Sequence, residues 1–179
     1  MPELPEVHTT VTGLQKVLPR LTIEDVWTDL AKNNQPISHF KNTLKDEVFY
    51  KKFKKEIIGQ KVVNVTRRAK NILINLSNGQ TILIHMKMTG HLLFGKYTYN
   101  KKSNSWSVST DEKNDALRDP FNRFIHVVFS LSNGKHLVFC DSRKFGKVTL
   151  VDTKLADQTS HLKNLGPERL DKIFTAETF

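Results

Sequence analysis

Between Leu4 and Leu18 the apolar positions Leu4, Val7, Val11, Leu14 and Leu18 recur every three or four residues. That spacing predicts one amphipathic helix, stopped by Pro19. Ile23 to Trp27 follows as a short strand and Asn33-Asn34-Gln35-Pro36 as a loop. A second helix is predicted from Thr43, as its cap, to about Ile58. Its apolar side would be Val48, Phe49, Phe53, Ile57 and Ile58, with Gly59 ending it. From Lys61 the period changes to two. Val63 and Val65 alternate with polar residues, and Ile72-Leu73-Ile74 and Ile82-Leu83-Ile84 flank the turn Asn78-Gly79. A second hairpin, Ile125 to Leu131 with His136 to Phe139, surrounds Asn133-Gly134. The stretch from Lys96 to Asn122 is polar and irregular, with Lys101 to Asn114 expected to be a flexible loop, and Val148 to Val151 adds one more strand. Two helices and about eight hairpin-connected strands predict an α+β domain over residues 1–165: an antiparallel β-sandwich flanked by the helices.

Composition narrows the partners. The 179 residues are 38% hydrophobic and 26% charged, enough for one domain with a real core. A net charge of +10 points to a polyanion, although a solvated basic face would produce the same number. Lys51, Lys52, Lys54 and Lys55 form the densest basic cluster, and on a helix they fit a solvated face better than a nucleic-acid contact. Cys140 is the only cysteine, which excludes an intrachain disulfide and a cysteine-rich zinc site within these residues. No apolar run approaches the ~20 residues of a membrane span, and the acidic start is not that of a signal peptide. The expectation is a cytoplasmic monomer that does not engage membranes.

Candidate chemistry begins at the first residues. Met1 precedes a small residue, the context in which an initiator methionine is removed, and the new terminus is then the secondary amine of Pro2 beside Glu3. An α-amino group titrates near ~8 against ~10.4 for lysine, so roughly a tenth of such amines are neutral and nucleophilic at pH 7. Pro5, Glu3 and Glu6 also suit a helix start and its dipole, and by themselves such residues are mostly those of an ordinary helix start. Arg67-Arg68-Ala69-Lys70 places three cations at a strand junction, where they suit phosphate contact; by themselves they also describe a solvated turn. Met88 leaves a strand into a turn, and a lone methionine there usually belongs to the core.

Read together, these segments resemble a known family. Met1 to Val7, MPELPEV, resembles the N-terminus of bacterial formamidopyrimidine-DNA glycosylases, which remove oxidised purines from DNA. The endonuclease VIII-like branch usually has Gly where this chain has Leu4, so the first branch fits better. Arg67 to Lys70 matches the family's RRAK motif. His85-Met86-Lys87-Met88-Thr89-Gly90 is similar to H-L-G-M-S-G, and Asp141-Ser142-Arg143-Lys144-Phe145-Gly146 is similar to D-P-R-R-F-G. Leu165-Gly166-Pro167-Glu168-Arg169-Leu170 resembles the LGPEPL that links the family's two domains.

The resemblance implies roles. Pro2 would attack the sugar C1′ and form a Schiff base, Glu3 would shuttle protons, and Glu6 would support the site. Lys70 would touch phosphate and take part in lyase chemistry, and His85 would hold phosphate. Met88, Arg143 and Phe145 would fill the space vacated by a flipped nucleotide, a set of shapes able to enter a base stack. Lys144 joins the DNA-binding set but lacks the planar fork of the usual arginine. The chain departs from the pattern at Lys87, where glycine is usual and the backbone is expected to differ, and at Ser142. His8 replaces a glutamate. Phe124 replaces the first histidine of H-D-H-V, so no DNA contact passes to it, and His126 reads equally as a strand residue without a role.

The implied function is base-excision repair by a bifunctional glycosylase and abasic-site lyase, acting on double-stranded DNA with oxidised purines (8-oxoguanine, formamidopyrimidines) or abasic sites and ending in β/δ-elimination. No cofactor is expected in this chain. The family's zinc finger and helix–two-turn–helix belong to a C-terminal domain without counterpart in the 179 residues, toward which residues 166–179 would be a linker. Two rivals keep the fold without the chemistry: a catalytically silent damaged-DNA-binding domain, and a basic structural domain with no DNA role.

Overall fold

The computed structural model describes residues 2–31, 41–159 and 162–165. The predicted loop at Asn33 to Pro36, Met1, most of the Leu165 to Leu170 motif and the 166–179 linker lie outside the described residues.

Two four-stranded antiparallel sheets pack face to face. The chain runs α1 (Leu4–Val17), β1 (Ile23–Thr28), α2 (Glu47–Ile57), β2 (Val62–Arg68), β3 (Asn71–Leu76), β4 (Gln80–His85), β5 (His91–Gly95), β6 (Tyr97–Asn100), β7 (Ser105–Val108), β8 (Ile125–Leu131), β9 (His136–Cys140) and β10 (Lys147–Asp152). One sheet has the order β1-β8-β9-β5 and the other β10-β4-β3-β2. Those eight strands are the predicted sandwich.

The elements follow from local chemistry. Gly79 and Gly134 close their hairpins at φ 79° and 78°, a left-handed geometry that suits the residue without a Cβ. On α1, Val7, Val11 and Leu14 are buried, and Leu18 is the C-cap just before Pro19. Together with Phe53 and Ile57 of α2 they join Val26, Val65, Ile74, Ile84, Phe129 and Phe139 in the main core. At about 25 cal/mol per Å², burying each such side chain contributes roughly 1.5–3 kcal/mol. Among the described residues no helix is long and apolar enough to cross a membrane.

Several expectations need correction. The second helix starts later than Thr43. Asp46 is its N-cap, accepting from the backbone of Val48 and Phe49 at 3.0 and 3.4 Å, because a carboxylate satisfies two of the helix's orphan N–H groups. Thr43 is buried instead. Val48 is 80% exposed, and the inward face is Phe49, Tyr50, Phe53 and Ile57. A register shift between Val62 and Asn64 turns Val62 inward and leaves Val63 exposed. β5 carried no clear alternation. The stretch read as polar and irregular forms the β6–β7 hairpin, whose turn and second strand fall in the expected flexible loop Lys101 to Asn114, and two short 3-10 helices, Asp115–Arg118 and Pro120–Arg123. Tyr97, Leu117, Val128, Val138 and Cys140 form a second core there, against which Trp27 and Trp106 pack. The lysine-rich face of α2 is solvated and ion-paired: Lys51 with Glu47 at 3.1 Å, Lys52 with Glu56 at 3.8 Å and Lys54 with Asp25 at 3.0 Å.

Candidate active site

The residues singled out by chemistry gather at one end of the sandwich. Gln15 donates its side-chain amide to Val65 O at 2.8 Å and Arg20 N donates to Val62 O at 2.8 Å, so α1 lies along β2 with its C-terminal end at Val62. From Gln15 back to Leu4 is about 16 Å of helix rise, and from Val65 on to Lys70 is about 16 Å of strand. The start of α1 therefore comes level with the β2–β3 turn. In the same sheet Asn71 pairs with His85 and His85 with Lys147, which places Lys70, His85 and the residues flanking Lys147 on that edge.

At the amine end, Glu3 is the N-cap of α1 in an extended conformation, and Pro5 occupies the first turn. The Glu6 carboxylate accepts from the backbone N–H of Glu3 at 2.9 Å. This contact fixes the angle at which Pro2 and Glu3 leave the helix, so Glu6 acts by positioning. Pro2 is half-buried and Glu3 exposed.

The RRAK turn divides its cations. Arg67 donates to Ala69 O at 3.0 Å, and Arg68 donates to Leu165 O at 3.3 Å and faces Asp157 at 3.8 Å. Both hold the protein together. Lys70 makes no ion pair with the described residues and is the cation this turn offers to a ligand. Ala69 stands at φ 50°, the left-handed geometry that turns the chain sharply between β2 and β3.

His85 accepts from the backbone N–H of Lys87 at 3.0 Å through Nδ1. A neutral ring then carries its proton on Nε2, the tautomer that donates to a phosphate oxygen. Lys87 adopts φ 54°, so the lysine that stands where the family usually has glycine bears left-handed strain. Burial, then the Lys147 charge, lowers the Lys87 amine below its usual range.

Asp141 is the hub of the two turns, one carrying Met88 and the other Arg143 and Phe145, that by resemblance would form the wedge. It is fully buried. Its Oδ1 accepts from the Thr89 hydroxyl at 2.5 Å and from Arg143 N at 3.2 Å, and its Oδ2 from Gly146 N at 2.7 Å. Arg143 N also donates to Thr89 Oγ1 at 3.2 Å. One carboxylate thus ties the Met88 turn to the Arg143–Phe145 turn. Beneath both lies the Phe139 ring, which Gly90 and Gly146 approach so closely that a Cβ on either would sit 2.8 or 2.3 Å from ring carbon Cζ. On this platform Met88 is 41% and Phe145 49% exposed, and the Arg143 guanidinium lies 4.7 Å from the centre of the Phe145 ring. Apolar groups held out by a rigid base have no core to enter; they suit insertion into a stack of bases.

Lys144 is exposed at φ 57°, and its carbonyl accepts from Lys45 Nζ at 2.6 Å. Burial lowers the Lys45 amine, which Asp141 partly offsets and Lys147 and Lys87 reinforce. Lys45, Lys87 and Lys147 therefore set three amines around the one carboxylate of Asp141 at the base of the loop. Sequence reading missed Lys45 and Lys147. Lys147 adjoins a motif, but Lys45 lies about 100 positions from the loop it supports, and no local pattern signals such a contact.

His126 has a structural position. A register shift in β8 between Ile125 and Val127 sets it apart from the strand alternation, and its Nδ1 lies 2.8 Å from Asp29 Oδ1. His8 is exposed on α1. Among the described residues no group of three or more His, Cys, Asp or Glu side chains is arranged to hold a metal ion.

The family model described as "Formamidopyrimidine-DNA glycosylase N-terminal domain" matches residues 1–148. The formamidopyrimidine-DNA glycosylase of Pelotomaculum thermopropionicum is 38% identical over 179 residues, covering 99% of this chain and 53% of that protein. That of Desulforamulus reducens is 34% identical over 177 residues, again 99% of this chain and 53% of the other. The chain spans about half the length of these curated relatives. Among solved structures, MutM in complex with DNA containing carbocyclic 8-oxo-G superposes with a TM-score of 0.67 at 22% identity, over 98% of this chain and 52% of that one. The Lactococcus lactis Fpg complex with Fapy-dG-containing DNA gives 0.65 at 22%, over 93% and 50%. At that identity the structures show a shared fold.

Proposed function

The chain belongs to the formamidopyrimidine-DNA glycosylase family, whose N-terminal domain it carries, and from that premise we propose that it is the catalytic part of a bifunctional DNA glycosylase and abasic-site lyase. The carrying observation is the convergence of Pro2, Lys70, His85 and the Asp141-anchored wedge on one end of the sandwich. The partner is duplex DNA with oxidised purines, 8-oxoguanine or formamidopyrimidines, or with abasic sites. Met88, Arg143 and Phe145 fill the gap left by the extruded nucleotide and offset the few kcal/mol that unstacking costs. Lys70 and His85 hold the flanking phosphates.

With Met1 removed, the Pro2 nitrogen lone pair attacks C1′ and the C1′–base bond breaks, its electrons leaving with the base, which is protonated. The ring oxygen then departs from C1′, taking a proton relayed by Glu3, and an iminium forms between Pro2 and C1′. That cation acidifies C2′; loss of a proton there expels the 3′ phosphate, and a second elimination releases the 5′ phosphate. Nothing in these steps needs a redox partner. The low basicity of an α-amine relative to lysine supplies the neutral nucleophile.

Borohydride trapping on a duplex carrying an abasic site tests the reading. A covalent adduct that disappears in Pro2→Gly, and in protein whose intact mass still includes Met1, is the expected result. Retardation of the duplex with no adduct from Met1-free protein would leave a damaged-DNA-binding domain and overturn the catalytic assignment.

A further inference from the structure

Beside the wedge loops lies a surface that the proposed chemistry does not use. The 3-10 helix Pro120–Arg123 holds Phe121 outward at 54% exposure. An exposed aromatic ring usually belongs to a mobile side chain, but this one is mounted. It stacks on His91 with centroids 4.8 Å apart and planes 11° from parallel. His91 is itself clamped, its Nδ1 3.2 Å from Thr89 O and its Nε2 2.8 Å from Asn122 Oδ1. Asn122 is oriented by donating to Ala116 O at 3.1 Å, and its carbonyl accepts from the Cys140 thiol at 3.3 Å. Next to Phe121 the exposed Arg123 guanidinium lies 4.5 Å from the centre of the Phe124 ring, and the Phe124 carbonyl accepts from Asp141 N at 2.9 Å. Arg123 makes one long bond within its own turn, to Pro120 O at 3.4 Å, whereas Arg118 is spent on Asp115, Ser109 and Glu112.

Phe121 and Arg123 are thus fixed to the two residues, Thr89 and Asp141, that join the wedge loops. We infer that the Pro120–Arg123 turn is a second contact surface for the same DNA, in which Arg123 binds a backbone phosphate and Phe121 packs on the neighbouring sugar. This rests on the reading of the wedge as the DNA-facing end. Three features point to a nucleic-acid backbone: a cation held over a ring, an apolar neighbour able to lie on deoxyribose, and continuity with the wedge through Thr89 and Asp141. The chain's net charge of +10 favours the same polyanion.

The test is equilibrium binding of a fluorescent duplex containing a tetrahydrofuran abasic-site analogue, measured across a salt series with the 179-residue chain. Arg123→Ala should weaken binding about tenfold at low salt and reduce the slope of log K against log salt by about 0.9, the value of one phosphate contact. Arg123→Lys should keep most of that slope. Phe121→Ala should weaken binding roughly fivefold with the slope unchanged, because stacking and sugar packing release no counterions. Thermal melts confirm that each variant is folded. Arg123→Ala and Phe121→Ala binding like the parent, while Arg143→Ala and Phe145→Ala weaken it, would overturn this inference and leave the proposed function standing. The converse, a silent Arg143→Ala with an impaired Arg123→Ala, would retain the surface and overturn the wedge. A chain that fails to bind the duplex removes both.

Discussion

If Asp141 is what couples the two wedge turns, a double-mutant cycle on Thr89 and Asp141 must show it. Thr89→Val keeps the side chain's shape and removes the hydroxyl, which donates to Asp141 Oδ1 at 2.5 Å and accepts from Arg143 N at 3.2 Å. Hydrogen bonds to a charged group contribute about 1.5–3 kcal/mol each. The carboxylate keeps Arg143 N and Gly146 N as donors, so Thr89→Val should cost about 2 kcal/mol, which for a chain of this size lowers Tm by roughly 4–8 °C. Asp141→Asn replaces an acceptor by a donor facing either the Thr89 hydroxyl and Arg143 N or Gly146 N, and should cost more, about 3–4 kcal/mol. In the double variant the Thr89 bond is already lost. The coupling energy should then be about 1–2 kcal/mol, whereas independent sites would add to within about 0.5 kcal/mol. Urea denaturation of the four proteins provides the numbers. Strict additivity, or a Thr89→Val protein as stable as the parent, would refute the idea that one carboxylate holds both turns. Borohydride trapping on the same proteins adds a functional readout, with the adduct rate falling in each single variant.

Three further outcomes follow from the same geometry. Glu6→Ala removes the acceptor 2.9 Å from Glu3 N; it should cost about 1 kcal/mol of stability and slow Schiff-base trapping more than duplex binding, since it disorients the amine. Lys87→Gly relieves a residue at φ 54°, and the relief of about 1–2 kcal/mol less the entropy of a new glycine should raise Tm by 1–4 °C in a calorimeter, at roughly 2–4 °C per kcal/mol. Burial lowers the His136 imidazole below its usual range, the hydrogen bond with the Gly95 backbone only partly offsetting this. The unfolded chain then binds more protons than the fold just below about pH 6.5, so stability present above that value is lost as the pH falls through the folded pKa. His136→Gln should flatten that part of a stability profile measured from pH 7.5 to 5, and an unchanged slope would remove His136 as its source.

How much of this was legible from the chain differs by element. The three-and-four spacing of Val7, Val11 and Leu14 and the two Asn-Gly turns fixed α1 and both hairpins, because each signal is local and nothing in the tertiary structure opposes it. The start of α2 was misplaced since Thr43 and Asp46 are both capping residues, and only tertiary contacts decide between them: Leu44 N donates to Val148 O on β10, and Thr43 is buried. The 96–122 segment reads as loop because its strands are short and rich in polar residues. They are held by Trp27 on β1, some 70 positions earlier. At the site the residue types were legible and their connections were not. Met88, Arg143 and Phe145 stand out by motif, whereas Asp141, Thr89 and Lys45 matter through contacts that span tens of residues.

The seat under the wedge has an evolutionary consequence. Phe139 occupies the space that two glycines leave free, one from each loop. Positions 139 and 146 therefore share one volume and cannot drift separately: a methyl group gained at Gly146 calls for a smaller side chain at 139, and shrinking 139 first opens a void beneath both turns, while Gly90 is held besides by the Met86 carbonyl, 2.4 Å from where its Cβ would stand. Substitutions at 139 and 146 should be neutral only in combination, so a laboratory library that varies one of the two at a time would score as dead sequences that a paired library would recover.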